Sequence, residues 1–183
     1  MRKKIVVRAP VLTRSGYGEH SRFLLRSLRE RGDVLDIHII PVGWGKCGWI
    51  TQDDEERAWL DRKIGKTAAY MHNGGKFDVS IQVTIPNEWE KLAPINIGVT
   101  AGIETTKCSP VWLERANMMD KIITISEHSK RVFTDTIYHG QNTQTNEPMT
   151  LKCEVPVEIA HYPVKVFESL PELSLNLDYD HNY

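Results

Sequence analysis

Residues 4–32 read KIVVRAPVLTRSGYGEHSRFLLRSLRERG, and this stretch decides the class of fold. The β-branched run within residues 4–8 is typical of a strand, and residues 18–31 predict a helix. Gly16 and Gly18 stand between the two elements, although glycine costs about 0.5–1 kcal/mol relative to alanine inside a regular element. Their position predicts that something comes close to the backbone there.

The alternation of strands and helices continues through the chain. Further strands are predicted at residues 34–40, 77–85, 95–101, 121–126 and 157–164. Further helices are predicted at residues 51–69, from Pro110 onwards, and at residues 127–136, with Thr51 and Ser126 as the caps of the first and last. Residues 139–150 break this pattern and predict a loop or a hairpin insertion. The alternation predicts an α/β fold, a three-layer sandwich with helices on both faces of a mostly parallel sheet.

The composition limits the classes of function. The chain has 183 residues, of which 40% are apolar, and this suits one domain with a core of its own. With 23 basic and 24 acidic residues the net charge is −1, so the chain lacks the concentrated positive field that nucleic-acid binding needs. No run approaches the roughly 18 apolar residues of a membrane span, and the apolar stretch after the basic start is too short for a signal peptide.

The cysteines and histidines predict neither a disulfide framework nor a metal site. The three cysteines, Cys47, Cys108 and Cys153, are widely spaced and form no Cys-x-x-Cys pair. The seven histidines are scattered, and none falls at the spacing of metal ligands. This cysteine usage favours a reducing compartment, so we predict a cytoplasmic protein.

The glycine loop is the first candidate binding site. In an open parallel sheet, ligands bind at the carboxyl ends of the strands, where the next helix offers N–H groups and partial positive charge to an anion. Gly16 and Gly18 would let a phosphate or a sugar approach the main chain, Arg14 adds charge, and Tyr17 belongs to the same substrate-binding loop. The third glycine of the dinucleotide fingerprint is absent, so a tight turn with positive φ is the alternative.

Three arginines, Arg22, Arg26 and Arg29, recur along the first helix at helical spacing. They are predicted to lie opposite its apolar side, which consists of Phe23, Leu24 and Leu28. Such a stripe most often forms a solvated face. A weak peripheral contact with anionic lipid head groups is the second interpretation.

A second candidate site lies in residues 98–133, GVTAGIETTKCSPVWLERANMMDKIITISEHSKRVF. Glu104 and Thr105 follow the carboxyl end of a predicted strand, where such sheets place their chemistry. Glu104 either acts on a ligand or pairs with Lys107 or Arg115.

Other candidates also carry two interpretations. Ser126 either caps the helix that follows it or contacts a phosphate positioned by the backbone there. Trp112 is either a core aromatic or a platform for a sugar. Trp44 and Trp49, in the glycine-rich loop GWGKCGW of residues 43–49, either stack on a sugar or pack beneath that loop.

The order of these motifs resembles the amino-terminal domain of GT-B glycosyltransferases, in particular the retaining enzymes of family 4. The resemblance rests on the first strand with SGYG and its helix, and on the series Glu104, Pro110-x-Trp112, Asn117-x-x-Asp120, a β-run and Ser126. VEIAHYPV resembles the strand that leads towards the second domain of that family, and the likeness covers most of residues 4–165.

The resemblance implies one half of a GT-B architecture, in which two Rossmann-like domains face a cleft. Residues 1–165 would form the Rossmann-like acceptor-side domain, and residues 166–183 a linker and the start of a second, donor-binding domain, whose Glu-x7-Glu motif is absent from the sequence. The implied reaction is transfer of a sugar, as in hexosyltransferases, from a nucleotide-sugar co-substrate to an acceptor hydroxyl. The family needs no metal or other cofactor, and this chain is expected to act only with the donor-binding domain.

The resemblance also implies roles for the candidate residues. Glu104 would orient the acceptor hydroxyl, and the loop with Gly16 and Gly18 would face the donor phosphates and the acceptor. A sugar or glycan acceptor is therefore the expected partner. Two alternatives stay open, a non-catalytic module that binds a glycan or a partner, and a small single-domain enzyme that binds phosphate.

Overall fold

The first apolar run forms strand β1 (Lys3–Ala9), and helix α1 (Gly16–Arg29) follows it. The structure is a computed structural model that describes residues 2–141 and 147–163. The other strands are β2 (Leu35–Pro41), β3 (Val79–Val83), β4 (Ile95–Thr100), β5 (Lys121–Thr124), β6 (Ile137–Gln141), β7 (Pro148–Lys152) and β8 (Val157–Ile159). The other helices are α2 (Glu55–His72), α3 (Pro110–Ala116) and α4 (Glu127–Asp135), with a short 3-10 turn at Pro86–Glu88.

Six strands form one parallel sheet in the order β2-β1-β3-β4-β5-β8. This confirms the predicted Rossmann-like sandwich. The strand order reverses between β1 and β3, and in open parallel sheets ligands bind at such a reversal, outside the carboxyl ends of the strands. We call the sheet edge where β1, β3, β4 and β5 end the carboxyl edge.

The sheet buries apolar side chains on both faces. One core lies under α1 and α2 and contains Leu25, Leu60 and strand residues such as Val7. The other lies under α3 and α4 and contains Leu113 and Phe133. Fully burying each such side chain stabilises the fold by about 1.5–3 kcal/mol.

The arginine stripe of α1 differs from the prediction. Arg22 is buried, and its Nη1 donates to the carbonyl oxygens of Val11 at 2.8 Å and Thr13 at 3.1 Å. The most buried apolar side chain of α1 is that of Leu25. The predicted apolar residues Phe23, Leu24 and Leu28 are only half-buried. The buried face repeats at helical spacing through Gly18, Ser21, Arg22 and Leu25.

The remaining two arginines of the stripe are exposed, as predicted. Arg26 forms a bidentate pair with Glu56, at 2.6 and 2.8 Å, and Arg29 pairs with Glu55 at 2.7 Å. Acidic residues of α2 therefore balance these charges. No helix within residues 2–141 and 147–163 has the length and apolar character to cross a bilayer, and the weak membrane contact stays a prediction.

The cap of α2 also differs from the prediction. Asp54, not Thr51, is the N-cap, and its Oδ1 accepts from the N–H of Arg57 at 2.8 Å. Thr51 instead accepts a hydrogen bond from the Arg14 guanidinium at 3.1 Å. Asp54 is the better cap because its ionised carboxylate also interacts favourably with the helix dipole.

The segment after α4 forms the hairpin alternative of the prediction. Strands β6 and β7 pair antiparallel, with Tyr138 opposite Leu151, and residues 142–146 between them lie outside the described part. Strand β8 is shorter than the predicted residues 157–164, and residue 164 is not described. The predicted linker and second domain, residues 166–183, also lie outside the described residues, so that boundary stays a prediction.

Candidate functional site

The close approach predicted at the glycine loop is real at Gly18, but the approaching group belongs to the chain itself. A Cβ on Gly18 would lie 2.8 Å from Thr13 Oγ1 and 3.1 Å from the Pro10 carbonyl oxygen, and closer still to the Thr13 carbonyl oxygen. A Cβ on Gly16 would meet nothing within 4 Å. Among the described glycines, those with positive φ are Gly45, Gly74 and Gly102, so the tight-turn alternative is wrong for both loop glycines.

Two loops run side by side at the carboxyl edge. The Arg14 N–H donates to the Gly48 carbonyl oxygen at 2.7 Å, and the Ile50 N–H donates to the Leu12 carbonyl oxygen at 2.8 Å. Ser15 caps α1 by accepting from the Gly18 N–H at 2.9 Å. This pairing brings the glycine-rich loop of residues 43–49 against the start of α1.

Tyr17 joins these loops to the end of β4. Its ring lies 4.5 Å from the Trp44 ring, centroid to centroid, at an angle of 37°. Its hydroxyl lies 2.8 Å from Thr100 Oγ1 and accepts from the Ala101 N–H at 3.3 Å. Burial raises the pKa of Tyr17, so the phenol is neutral at neutral pH. We call Tyr17, Trp44, Thr100 and Ala101 the Tyr17 cluster.

The loop after β4 is fixed by α4 at its start and exposed further on. Gly102 has a φ of +89°, and a Cβ there would collide with Ser129, whose hydroxyl donates to the Ala101 carbonyl oxygen at 2.9 Å. Thr105 is exposed and donates to the Lys107 carbonyl oxygen at 2.7 Å. Glu104 is exposed, and its carboxylate has no ion pair or hydrogen bond within the described residues. The expected pair with Lys107 or Arg115 does not form there.

The structure also places the other candidate residues, Ser126, Trp112, Trp49 and Arg14. Ser126 caps α4 by accepting from the Ser129 N–H at 3.1 Å, as predicted, and its phosphate contact stays a prediction. Trp112 stacks on Phe133 in the core, at 6.1 Å and 19°, which confirms its packing interpretation. Trp49 is 53% exposed and pairs through its backbone with Thr13. Arg14, held by Thr51, lies at the rim of the same loops.

Thr84 and His20 are polar residues near the site that sequence reasoning missed. Thr84 follows β3, beside the reversal in strand order, and its buried Oγ1 has no hydrogen-bond partner in the described part of the chain. His20 is 8% exposed and lies one helical turn after Tyr17, with 6.5 Å between ring centroids. Its Nδ1 lies 3.5 Å from the hydroxyl of Tyr162, which follows β8. The one usable signal was the i, i+3 spacing that places His20 beside Tyr17.

We expect His20 to make the protein less stable in mild acid. Burial lowers the pKa of His20 from 6.5 to about 4, so the unfolded chain takes up the proton first. The stabilisation is complete above pH 6.5 and is lost as the pH falls towards 4. Linkage gives a loss of about 1.5 kcal/mol of unfolding free energy between pH values of about 6.5 and 5.

Urea denaturation of the wild type and of His20→Phe across this pH range measures the effect. Phenylalanine keeps the ring but cannot be protonated, so its unfolding free energy should fall less steeply. Parallel pH profiles for the two proteins would show that His20 is not held neutral in the folded state.

Within the described residues, no group of three or more histidine, cysteine, aspartate or glutamate side chains is placed to hold a metal ion. The site is instead a neutral, hydroxyl-bearing aromatic cluster with an exposed carboxylate on the next loop. Comparison of the chain with protein-family models, with curated proteins and with solved structures gives no significant match in any of the three.

Proposed function

We propose that the chain is the acceptor-side domain of a glycosyltransferase and holds a sugar acceptor at the carboxyl edge. The observation that supports this most is the Tyr17–Trp44 pair at the end of the strands, 4.5 Å apart and tied to β4 through Thr100. A sugar has apolar C–H faces and a rim of hydroxyls, and this cluster offers aromatic surface beside hydroxyl groups. The location agrees with the general rule for ligands of open parallel sheets.

The electrostatics of the cluster suit an uncharged ligand. The Tyr17 phenol is neutral, and its hydroxyl already has Thr100 and the Ala101 N–H as partners. Losing one of these partners would leave a buried polar group unsatisfied, which costs about 1–3 kcal/mol. The Tyr17 ring is therefore held firmly in place. A rigid platform loses little entropy when a sugar binds.

Glu104 supplies the chemical step of the proposal. Its carboxylate is exposed and without a partner in the described residues, so it is available to accept a hydrogen bond from the acceptor hydroxyl. A nucleotide sugar would be brought to that hydroxyl by the donor-binding domain. Holding both reactants together contributes up to about 7–11 kcal/mol to such a reaction.

The phosphate-binding alternative receives less support from the geometry. It needs Gly18 to leave room for a ligand, but that room is taken by the carbonyl groups of Pro10 and Thr13. A glycan-binding module without activity would use the same Tyr17 cluster and would not need Glu104.

Trp44→Ala should weaken sugar binding by at least about tenfold, or about 1.4 kcal/mol. The measurement is a ligand-observed NMR titration of the chain with a panel of methyl hexosides, for which we expect dissociation constants of about 1 mM. Alanine removes the aromatic face beside Tyr17 and leaves the loop backbone unchanged.

Trp49→Ala is the matched comparison, because Trp49 is the other aromatic candidate of the same loop but, within the described residues, its ring has no contact with Tyr17. It should change the affinity less than about twofold. If no hexoside in the panel binds, or if Trp49→Ala is as damaging as Trp44→Ala, the Tyr17 cluster is not the sugar platform.

A further inference from the structure

A cavity of about 250 Å³ opens between α1 and the segment that follows β8. Val99 of β4 and Ile123 of β5 line it from the sheet, and Phe23 and Leu24 line it from α1. His20 is also part of the wall, and its ring lies 6.5 Å from that of Tyr17. The cavity is therefore mainly apolar, with Ser27, His161 and Tyr162 also in its wall, and it adjoins the proposed sugar platform.

The volume of the cavity suits a small apolar group. An engineered apolar cavity of about 150 Å³ holds benzene, and pockets for drug-sized ligands begin at about 300 Å³. A volume between these values suits one ring or a short alkyl chain. A whole sugar with its hydration would find too few polar partners in these walls.

His20 gives the cavity one hydrogen-bonding group that is not used by the chain. Its Nδ1 lies 3.5 Å from the Tyr162 hydroxyl, which is the one hydrogen-bonding contact of its ring in the described residues, so its Nε2 has none there. Burial keeps the imidazole neutral, with a pKa of about 4. A neutral imidazole offers one donor and one acceptor, so it pairs with a hydroxyl and does not attract a carboxylate.

We propose that this cavity binds the compact, uncharged, apolar aglycone of the acceptor, with a hydroxyl or ether oxygen of that group next to His20. The inference rests on the proposed function and specifies it, since the acceptor then is a glycoside of an apolar alcohol. Its sugar lies on Tyr17 and Trp44, and its aglycone lies beside Val99 and Ile123.

Benzyl alcohol, used alone, tests the cavity without any sugar. We expect the full chain to bind it in the millimolar range, as suits so small a ligand, and to bind benzoate at least tenfold more weakly at neutral pH. Because no sugar is involved, Trp44→Ala should leave this binding unchanged. A failure of sugar binding and a failure of the cavity are thus distinguishable.

Three variants, one of them a control, test where the probe binds. Ala160 lines the cavity but is exposed, so Ala160→Trp should fill the space and abolish binding of benzyl alcohol. Ala68→Trp, at an exposed position of α2, is the matched control and should have no effect. His20→Phe should weaken benzyl alcohol about tenfold and leave toluene unchanged, because only the alcohol uses the imidazole.

The link to the acceptor is tested with phenyl and methyl hexosides. In the wild type, we expect the phenyl hexoside to bind at least tenfold more tightly than the methyl hexoside. In Ala160→Trp, we expect the two hexosides to bind equally tightly. The proposal is overturned if benzyl alcohol does not bind, if benzoate binds as well, if Ala160→Trp and Ala68→Trp behave alike, or if the phenyl group adds nothing.

Discussion

Gly18→Ala should destabilise the protein by about 3 kcal/mol, at the upper end of the usual cost of overpacking. The new methyl group would lie 2.8 Å from Thr13 Oγ1 and closer to the Thr13 carbonyl oxygen. A side chain could rotate away, but a backbone carbonyl moves only if the whole loop moves. That loop also receives the two hydrogen bonds of Arg22, so its displacement disturbs several contacts at once.

Gly16→Ala is the control for this prediction. It lies two residues away in the same helix, and its Cβ would meet nothing within 4 Å. Alanine there should be neutral or stabilising by up to about 1 kcal/mol, because it reduces the entropy of the unfolded chain. Chemical denaturation of the three proteins measures the difference.

The outcome also decides what the glycine loop does. If Gly18→Ala keeps the stability of the wild type and loses sugar binding, a ligand occupies the space that we assign to the loop of residues 10–13. Equal effects at Gly16 and Gly18 would show that the helix start is not packed against that loop.

The order and type of the elements could be predicted because each strand and helix carries its own periodic pattern. Boundaries shifted where local signals compete. Thr51 and Asp54 both have cap chemistry, and only the position at which the chain turns into α2 selects Asp54. The hairpin after α4 has weak apolar patterning because its residues are mostly exposed, so the sequence left a loop as an alternative.

The burial of Arg22 could not be predicted from charge alone. Its guanidinium is buried because the carbonyl oxygens of Val11 and Thr13 turn towards α1, and that turn is a property of the loop. The helical spacing of Gly18, Ser21 and Leu25 was the available signal, but arginine rarely occupies such a face.

The candidate site was predicted by location more than by residue. The carboxyl ends of parallel strands meet at one edge, so the fold class and the order of the elements predict that Tyr17 and Glu104 lie there. The contact of Tyr17 with Thr100 joins residues far apart in the chain, and no local pattern announces it. His20 and Tyr162 are also far apart in the chain and come together only when it folds.

Trp89→Ala should cost about 4 kcal/mol, the largest loss that we expect from a single substitution here. Trp89 is fully buried in the core under α3 and α4. It belongs to the segment after β3, which is also held by Gln82, whose side chain bonds both the N–H and the carbonyl oxygen of Glu90. Losing the indole leaves a cavity that the sheet cannot close.

The indole ring lies directly on Gly98 of β4, and this contact can be tested as a pair. A Cβ on Gly98 would lie 2.6–2.7 Å from three ring carbons of Trp89, so Gly98→Ala alone should be destabilising. In the Trp89→Ala background the same methyl group enters the vacated space, and Gly98→Ala should be neutral or restore part of the stability. A double-mutant cycle by chemical denaturation then gives a favourable coupling of about 1–3 kcal/mol.

Trp89→Phe replaces the indole with a smaller ring that has no nitrogen. Trp89 Nε1 is buried without a partner in the described residues, so Trp89→Phe removes an unsatisfied donor together with part of the ring. We therefore expect Trp89→Phe to lose less than Trp89→Ala, because part of the ring is kept, and to tolerate Gly98→Ala better than the wild type does, because the outer indole carbons that face Gly98 are those that phenylalanine lacks. Additive effects of Trp89→Ala and Gly98→Ala would mean that the indole does not fill the space above β4, and the segment after β3 would then need another anchor.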